Sequence, residues 1–248
     1  MQRIVLVTGA ASGIGAATCR VLAAPGVGLL VHTRRNRAGA ETVAAAARAA
    51  GAEAEVVLGD LTEAALPAAL VDACVARFGG LDVLVSNAGF ADRTPIADVA
   101  DDAFAHSINA IAFAFLRLAR AAIPALRAGR APRVVAVGSF VAHAHRPGLP
   151  SFPASAAAKA ALEALVRSLA QELAPTITVN AVVPGFIRKN AGAHAALPAS
   201  SEAERTRPIP LARLGEPAEV AAAIAFLASA AASYVTGQAL RVDGGLVM

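Results

Sequence analysis

"RIVLVTGAASGIGAA", residues 3–17, decides the fold. Its first five residues are mostly aliphatic and read as a buried strand. The glycine-rich turn that follows runs straight into a small-residue helical pattern. Gly9, Gly13 and Gly15 let the backbone turn tightly and approach a pyrophosphate at the helix N-terminus, with Ser12 and Ile14 inside the same loop. Free N–H groups and the helix dipole favour an anion there. A glycine pattern alone is weak evidence, but one placed after a strand and before a helix points to a dinucleotide.

Outward from this stretch the same alternation continues. Short β-branched runs at 3–7, 28–32, 54–58, 81–86, 133–138, 177–183 and 239–243 predict strands. Helical patterns fill 13–24, 37–50, 63–78, 101–127, 153–174 and 216–230. Near-continuous apolar strands separated by helices imply a parallel sheet covered on both faces, and right-handed crossovers make it doubly wound. The expectation is an α/β fold with a seven-stranded parallel sheet. With no Pro/Gly-rich linker and no repeat, residues 1–248 read as a single domain. The segment 188–212 breaks the rhythm with polar residues and several prolines. It reads as a lid or substrate loop, with a plain surface connection as the alternative.

Composition narrows the function classes. The chain has 248 residues, of which 56% are hydrophobic and 16% charged, too apolar for a disordered protein. The net charge of +4 comes from scattered arginines, and aromatics are 4%, so the basic stripe a nucleic-acid binder needs is missing. Cys19 and Cys74 stand alone without ligand spacing, as small buried hydrophobes rather than a disulfide or metal site. The apolar N-terminus is too short for a membrane span and lacks a cleavage region, which makes the cytoplasm the simplest address.

After the second strand comes "HTRRNR" (32–37), with no acidic residue before Glu41. An acidic side chain there would take a ribose 2′-hydroxyl, whereas arginine accommodates a 2′-phosphate. Arg34 or Arg35 is therefore expected to pair with the 2′-phosphate, and NADPH is the expected cofactor.

Several further motifs stand at matching places: "GDLT" (59–62), "SNAG" (86–89), "SINA" (107–110), "VGS" (137–139), "VNAVVPGFI" (179–187) and "YVTGQALRVDGG" (234–245). With "TGAASGIG" (8–15), they make the chain resemble the short-chain dehydrogenase/reductases over nearly its whole length, most of all their β-ketoacyl-[acyl-carrier-protein] reductases. The resemblance implies a Rossmann domain in which Asp60 bonds the adenine amino group and Leu61 flanks the ring. Asn87, Ala88 and Gly89 would line the adenosine ribose, and Pro184, Gly185 and Ile187 would hold the carboxamide. Where that family often has threonine or serine next, this chain has Arg188 and Lys189.

The family divides its chemistry among Ser, Tyr, Lys and Asn. The resemblance assigns Ser139 to orienting a carbonyl, Asn109 to anchoring a relay water, and Lys159 to holding the ribose and acidifying the tyrosine. The tyrosine is missing. In "SFPASAAAKAAL" (151–162), four residues before Lys159 stands Ser155, and thirteen after Ser139 stands Phe152. Phe152 and Lys159 are seven apart, the tyrosine–lysine interval of the divergent enoyl reductases. The chain's one tyrosine is Tyr234. His143, His145 or a water between Lys159 and Asn109 are candidate donors in its place, with each histidine otherwise read as a loop residue pointing elsewhere.

Three readings follow. One is an NADPH-dependent reductase of a carbonyl such as a 3-oxoacyl thioester, with a substituted proton donor. Another is a C=C reductase using the long spacing. The last is a non-catalytic NADPH-binding subunit. Helix 153–174 carries small residues on several faces and predicts a homo-oligomer, dimer or tetramer. Arg127, Arg130 and Arg133 gather near the end of the helix 101–127 and offer an acidic acyl carrier protein a docking point, or simply a solvated helix end. In the loop, His194 and a few arginines are the polar residues available to a substrate.

Overall fold

Seven parallel strands form because seven short apolar runs can each bury both faces between helices. They are β1 (Arg3–Val7), β2 (Val27–Thr33), β3 (Glu53–Leu58), β4 (Val83–Ser86), β5 (Arg133–Val137), β6 (Thr178–Pro184) and β7 (Ala239–Val242). The computed structural model describes residues 2–144, 151–188 and 202–248. The sheet order is β3-β2-β1-β4-β5-β6-β7, with every neighbouring pair parallel. β3 and β7 are the edges, β7 the more exposed, while β1, β2, β4 and β5 are almost wholly buried.

Helices cover both faces, as the apolar periodicity implied. α1 (Gly13–Leu22), α2 (Arg37–Ala49) and a late helix, Pro217–Ala228, pack with Val5, Leu29 and Val135 on one side. α3 (Leu66–Phe78), the run Asp101–Ala128 and the helix Pro153–Leu173 pack with Leu6, Leu84 and Val134 on the other. Cys19 and Cys74 lie in these two cores, and burial pushes both thiols up to about 12.

The run Asp101–Ala128 is long and apolar enough, by length and composition, to cross a membrane. Here it lies against the sheet through Ile111, Phe115, Leu118, Ala122 and Leu126, the stripe of a core helix. The single helix expected at 101–127 is in fact two, α4 (Asp101–Ile108) and α5 (Ala114–Ala128), joined by a π turn over Asn109–Phe113. Such turns cannot be read from apolar spacing and concentrate at functional sites. The long helix after β5 is α6 (Pro153–Leu173). A short α7 (Glu202–Thr206) stands inside the segment expected as loop, and Pro217–Ala228 is α8.

Register aligns the sheet's carboxyl edge. Val7 pairs with both Val31 and Val85, Ser86 with Ala136, and Val137 with Val182. The strand order reverses between β1 and β4. Gly9, Asn87 and Ser139, which follow β1, β4 and β5, therefore converge on the crevice where open α/β sheets take ligands.

Candidate functional site

At the cofactor end the glycine loop is held by backbone and amide contacts. Gly9 and Gly13 have φ of +63° and +55°, a region side chains rarely adopt. A Cβ on Gly15 would lie 2.4 Å from the Gly9 carbonyl oxygen and 2.6 Å from Asn87 Nδ2. Asn87 is the brace: Nδ2 donates to the carbonyls of Thr8 (2.9 Å) and Gly9 (3.0 Å). Thr8 Oγ1 in turn accepts from the N–H groups of Asn87 and Ala88. At Gly13, by contrast, a Cβ would meet nothing within 4 Å, and the Ser12 hydroxyl makes no cap to α1. That open cradle of small residues at a helix N-terminus fits a pyrophosphate.

The residues expected around the rest of a dinucleotide follow along the same edge. Arg34 and Arg35 are exposed after β2, and Arg34 Nη1 stands 3.6 Å from Asp60 Oδ2. Burial pushes the Asp60 carboxyl up. Hydrogen bonds from Thr62 and the nearby Arg34 and His106 outweigh it and hold the group below the usual range. Leu61 is buried beside it. His32 Nε2 contacts the Gly59 carbonyl at 3.0 Å, and burial holds its pKa down. Gly185 has no room for a Cβ, which would lie 2.7 Å from Asp243 Cα, and Ile187 bridges to Gly215. Pro184, at the end of β6, completes this side.

The chemical end is built differently. Lys159 is buried on α6, and its Nζ donates to the Val137 carbonyl at 2.6 Å. A Cβ on Gly89 would come 3.3 Å from that Nζ, so the ammonium sits between the ends of β4 and β5. Burial pushes its pKa down to about 8, against an opposing pull from Glu163 one turn along the helix. Glu163 is 3% exposed, with Oε2 lying 2.8 Å from His143 Nε2 at ion-pair distance but off hydrogen-bond alignment. Its Oε1 has no hydrogen-bond partner among the described residues and faces Gly138, where a Cβ would fall 2.6 Å away. Sequence reading missed Glu163, although its i+4 relation to Lys159 was visible.

The remaining candidates divide. Ser139 is half-buried at the end of β5, its Oγ accepting loosely from the Val141 N–H at 3.4 Å. Asn109 opens the π turn, but its Oδ1 is taken by Arg117 Nη1 at 2.7 Å. Ser155 is buried, and its hydroxyl accepts from the Asp92 N–H at 2.7 Å. Phe152 is buried edge-on to Phe140, which packs on Phe186. Ile209 and Leu214 join this aromatic wall. His145, Lys189, His194 and most of that segment lie outside the described residues.

One expectation is corrected. Arg133 does not belong to a surface cluster: it begins β5, is 6% exposed, and donates to the carbonyls of Pro132 and Ser229. Its apolar neighbours in "RVVAV" pull it into the sheet, leaving Arg127 and Arg130 exposed. Tyr234 is fully exposed near the amino end of β6, where Gly237 N–H bonds the Val179 carbonyl. Within this chain it stands at the wrong end of the sheet to replace the missing phenol.

Residues 9–247 match the family model described as enoyl-(acyl carrier protein) reductase. The chain is 40% identical over 246 residues to cis-4-hydroxycyclohexanecarboxylate dehydrogenase of Sinomonas cyclohexanicum, covering 98% of this chain and 96% of that protein. To the 3-oxoacyl-[acyl-carrier-protein] reductase FabG of Salmonella typhimurium it is 35% identical over 247 residues, covering 99% and 98%. Among solved structures it is similar to a short-chain dehydrogenase/reductase (glucose/ribitol dehydrogenase) from Brucella melitensis. The TM-score there is 0.89 at 32% identity, covering 100% of this chain and 97% of that one.

Proposed function

The chain belongs to the short-chain dehydrogenase/reductase family, and from that premise we propose that it is an NADPH-dependent reductase of a carbonyl, with an atypical proton donor. Bound over the glycine loop, the nicotinamide would supply a hydride to the carbonyl carbon. The chain's own residues do the rest. Ser139 orients the carbonyl oxygen, and Lys159 provides the proton that this oxygen takes up.

Lys159 is the observation that carries this reading. Its Nζ is fixed by the Val137 carbonyl, two residues before Ser139, at the carboxyl edge of the sheet, and burial lowers its pKa toward neutrality, to about 8. General acids work best with a pKa near the working pH. The preference for NADPH is supported by Arg34 and Arg35 after β2, where no carboxylate follows before Glu41. The two curated relatives act, by their names, on a hydroxy carboxylate and a 3-oxoacyl thioester. Both are carbonyl–alcohol chemistry, so a 3-oxoacyl thioester is a reasonable first substrate. The exposed alanines of α6, such as Ala160 and Ala164, suit packing against a second copy. A cytoplasmic homodimer or tetramer acting on small molecules needs neither membrane nor nucleic acid.

A second reading is an NADPH-binding subunit without turnover. It is favoured by the Ser155 hydroxyl being engaged with the Asp92 N–H, and by Tyr234 lying at the far end of the sheet. A C=C reductase has less support, since Phe152 can only wall the pocket.

The test is NADPH oxidation with a short 3-oxoacyl thioester, beside Lys159→Ala. Turnover that falls roughly 10²- to 10⁴-fold in the variant supports the reductase with Lys159 as acid. Saturable NADPH binding without turnover removes the enzyme reading for that substrate class and leaves the subunit.

A further inference from the structure

The loop after β4 carries a charged group that neither the fold nor the cofactor uses. Arg93 is half-buried, and its Nε and Nη2 are shielded from solvent with no hydrogen-bond partner among the described residues. Its guanidinium carbon lies 5.3 Å from the centre of the Phe152 ring. The adjacent carboxylate, Asp92, is turned away, its Oδ1 accepting from the Thr94 N–H and hydroxyl. The loop is anchored beside the chemistry by the bond from Asp92 N–H to Ser155 Oγ, one helical turn before Lys159.

Which two nitrogens are unpaired matters. Nε and Nη2 form the side-on fork of a guanidinium, the pair that donates two parallel hydrogen bonds to one carboxylate. Buried donors without acceptors are costly, and native proteins rarely retain them without a ligand or function. Burial also pushes this guanidinium's pKa down, which an anion at the fork would reverse. Phe152 closes one side of the group and belongs to the wall formed by Phe140, Phe186, Ile209 and Leu214. The guanidinium therefore stands against the apolar wall through Phe152, with its fork shielded from solvent.

We infer that Arg93 is a carboxylate subsite, held by Phe152 and the Asp92–Ser155 bond, and that the substrate is an oxo acid carrying its own free carboxylate. This rests on the oxidoreductase reading and narrows it from a thioester to an acid. Phe152 stands at one of the two positions where the family pattern expects a phenol. Here its ring supports a cation that binds the substrate, and the proton comes from elsewhere.

The experiment compares 4-oxocyclohexanecarboxylate with its methyl ester in the NADPH-loaded protein, for the unmodified chain, Arg93→Lys and Arg93→Gln. The unmodified protein is expected to prefer the acid by roughly 100-fold in kcat/KM, mostly through KM, because the ester leaves the fork unpaired. Arg93→Gln should bring the ratio to within a few-fold of one, with Arg93→Lys between. Calorimetric binding of cyclohexanecarboxylate against its amide gives a second readout independent of turnover. Charge-dependent binding lost in Arg93→Gln, with no turnover of either substrate, keeps the subsite and removes the reductase. Turnover with equal acid and ester kinetics keeps the reductase and overturns the subsite, as does a ratio that survives Arg93→Gln. A pantetheine thioester whose preference depends on its 4′-phosphate and on Arg93 would also overturn it, assigning the fork to a phosphate.

Discussion

The two ends of the crevice differ in how their polar groups are satisfied. At the glycine loop, Asn87 and Thr8 saturate one another across β1 and β4, and the ligand-facing surface is backbone and small side chains. At the chemical end, Lys159 is buried with a lowered pKa, and among the described residues Glu163 Oε1 is unpaired and two Arg93 donors have no acceptor. At the first end the groups of the loop itself are paired, and His32 Nδ1 is the buried side-chain atom there without a partner among the described residues. The second carries polar groups that its own fold leaves unmatched. Protein interiors rarely retain such groups without a use, so under the proposed function the contrast separates a binding surface from a reactive one.

The contrast breaks most severely at Gly15. Gly15→Ala would drive a methyl group to 2.4 Å from the Gly9 carbonyl oxygen, and backbone cannot move aside cheaply. The expected cost is about 1–3 kcal/mol of stability, with loss of measurable NADPH binding. Thermal unfolding and calorimetry check both, and unchanged affinity would mean that the loop is not the pyrophosphate cradle.

A smaller effect is expected at Arg34, whose charge stands exposed beside Asp60. Arg34→Gln should weaken NADPH by about tenfold, the order of one exposed charge-assisted contact, and leave NADH nearly unaffected. Titration of the two cofactors side by side reads the ratio. A parallel loss of both would assign Arg34 to structure instead of 2′-phosphate recognition.

The smallest effect sharpens the chemical end. If the Lys159 ammonium is the acid, the rate is full below its pKa and falls as pH rises through about 8. The Glu163 carboxylate favours the charged form of Lys159. Glu163→Gln should therefore move that limb to lower pH, by a fraction of a unit to about one unit. His143, which faces the same carboxylate, is held constant by measuring the limb in His143→Gln as well. A limb that stays fixed in Glu163→Gln would separate the titration from Lys159.

Much of the fold was legible because its signals are local. β1 was read at its observed bounds, and β2 to β6 within two residues, from β-branched runs whose residues face a core on both sides. The long helix at 101–127 was read as unbroken because a π turn shifts the hydrogen-bond register without changing the apolar pattern. Arg133 was misplaced because its charge was weighed without the strand that carries it inward. Glu163 could have been found from its place one turn after Lys159. Arg93 gave no local signal, since it lies in an aperiodic loop and its meaning depends on Phe152, far along the chain.

By itself, the sequence determined the parallel sheet, the glycine cradle and the missing phenol, because these depend on residue identity and short-range spacing. Only the tertiary structure decided that Ser155 is committed to the Asp92 backbone, that Tyr234 stands at the opposite end of the sheet, and that the Arg93 fork is unpaired among the described residues. Each of these is a question of which polar groups find partners once distant segments are packed together. Satisfaction of buried hydrogen bonds is a property of the folded whole, and no local pattern carries it.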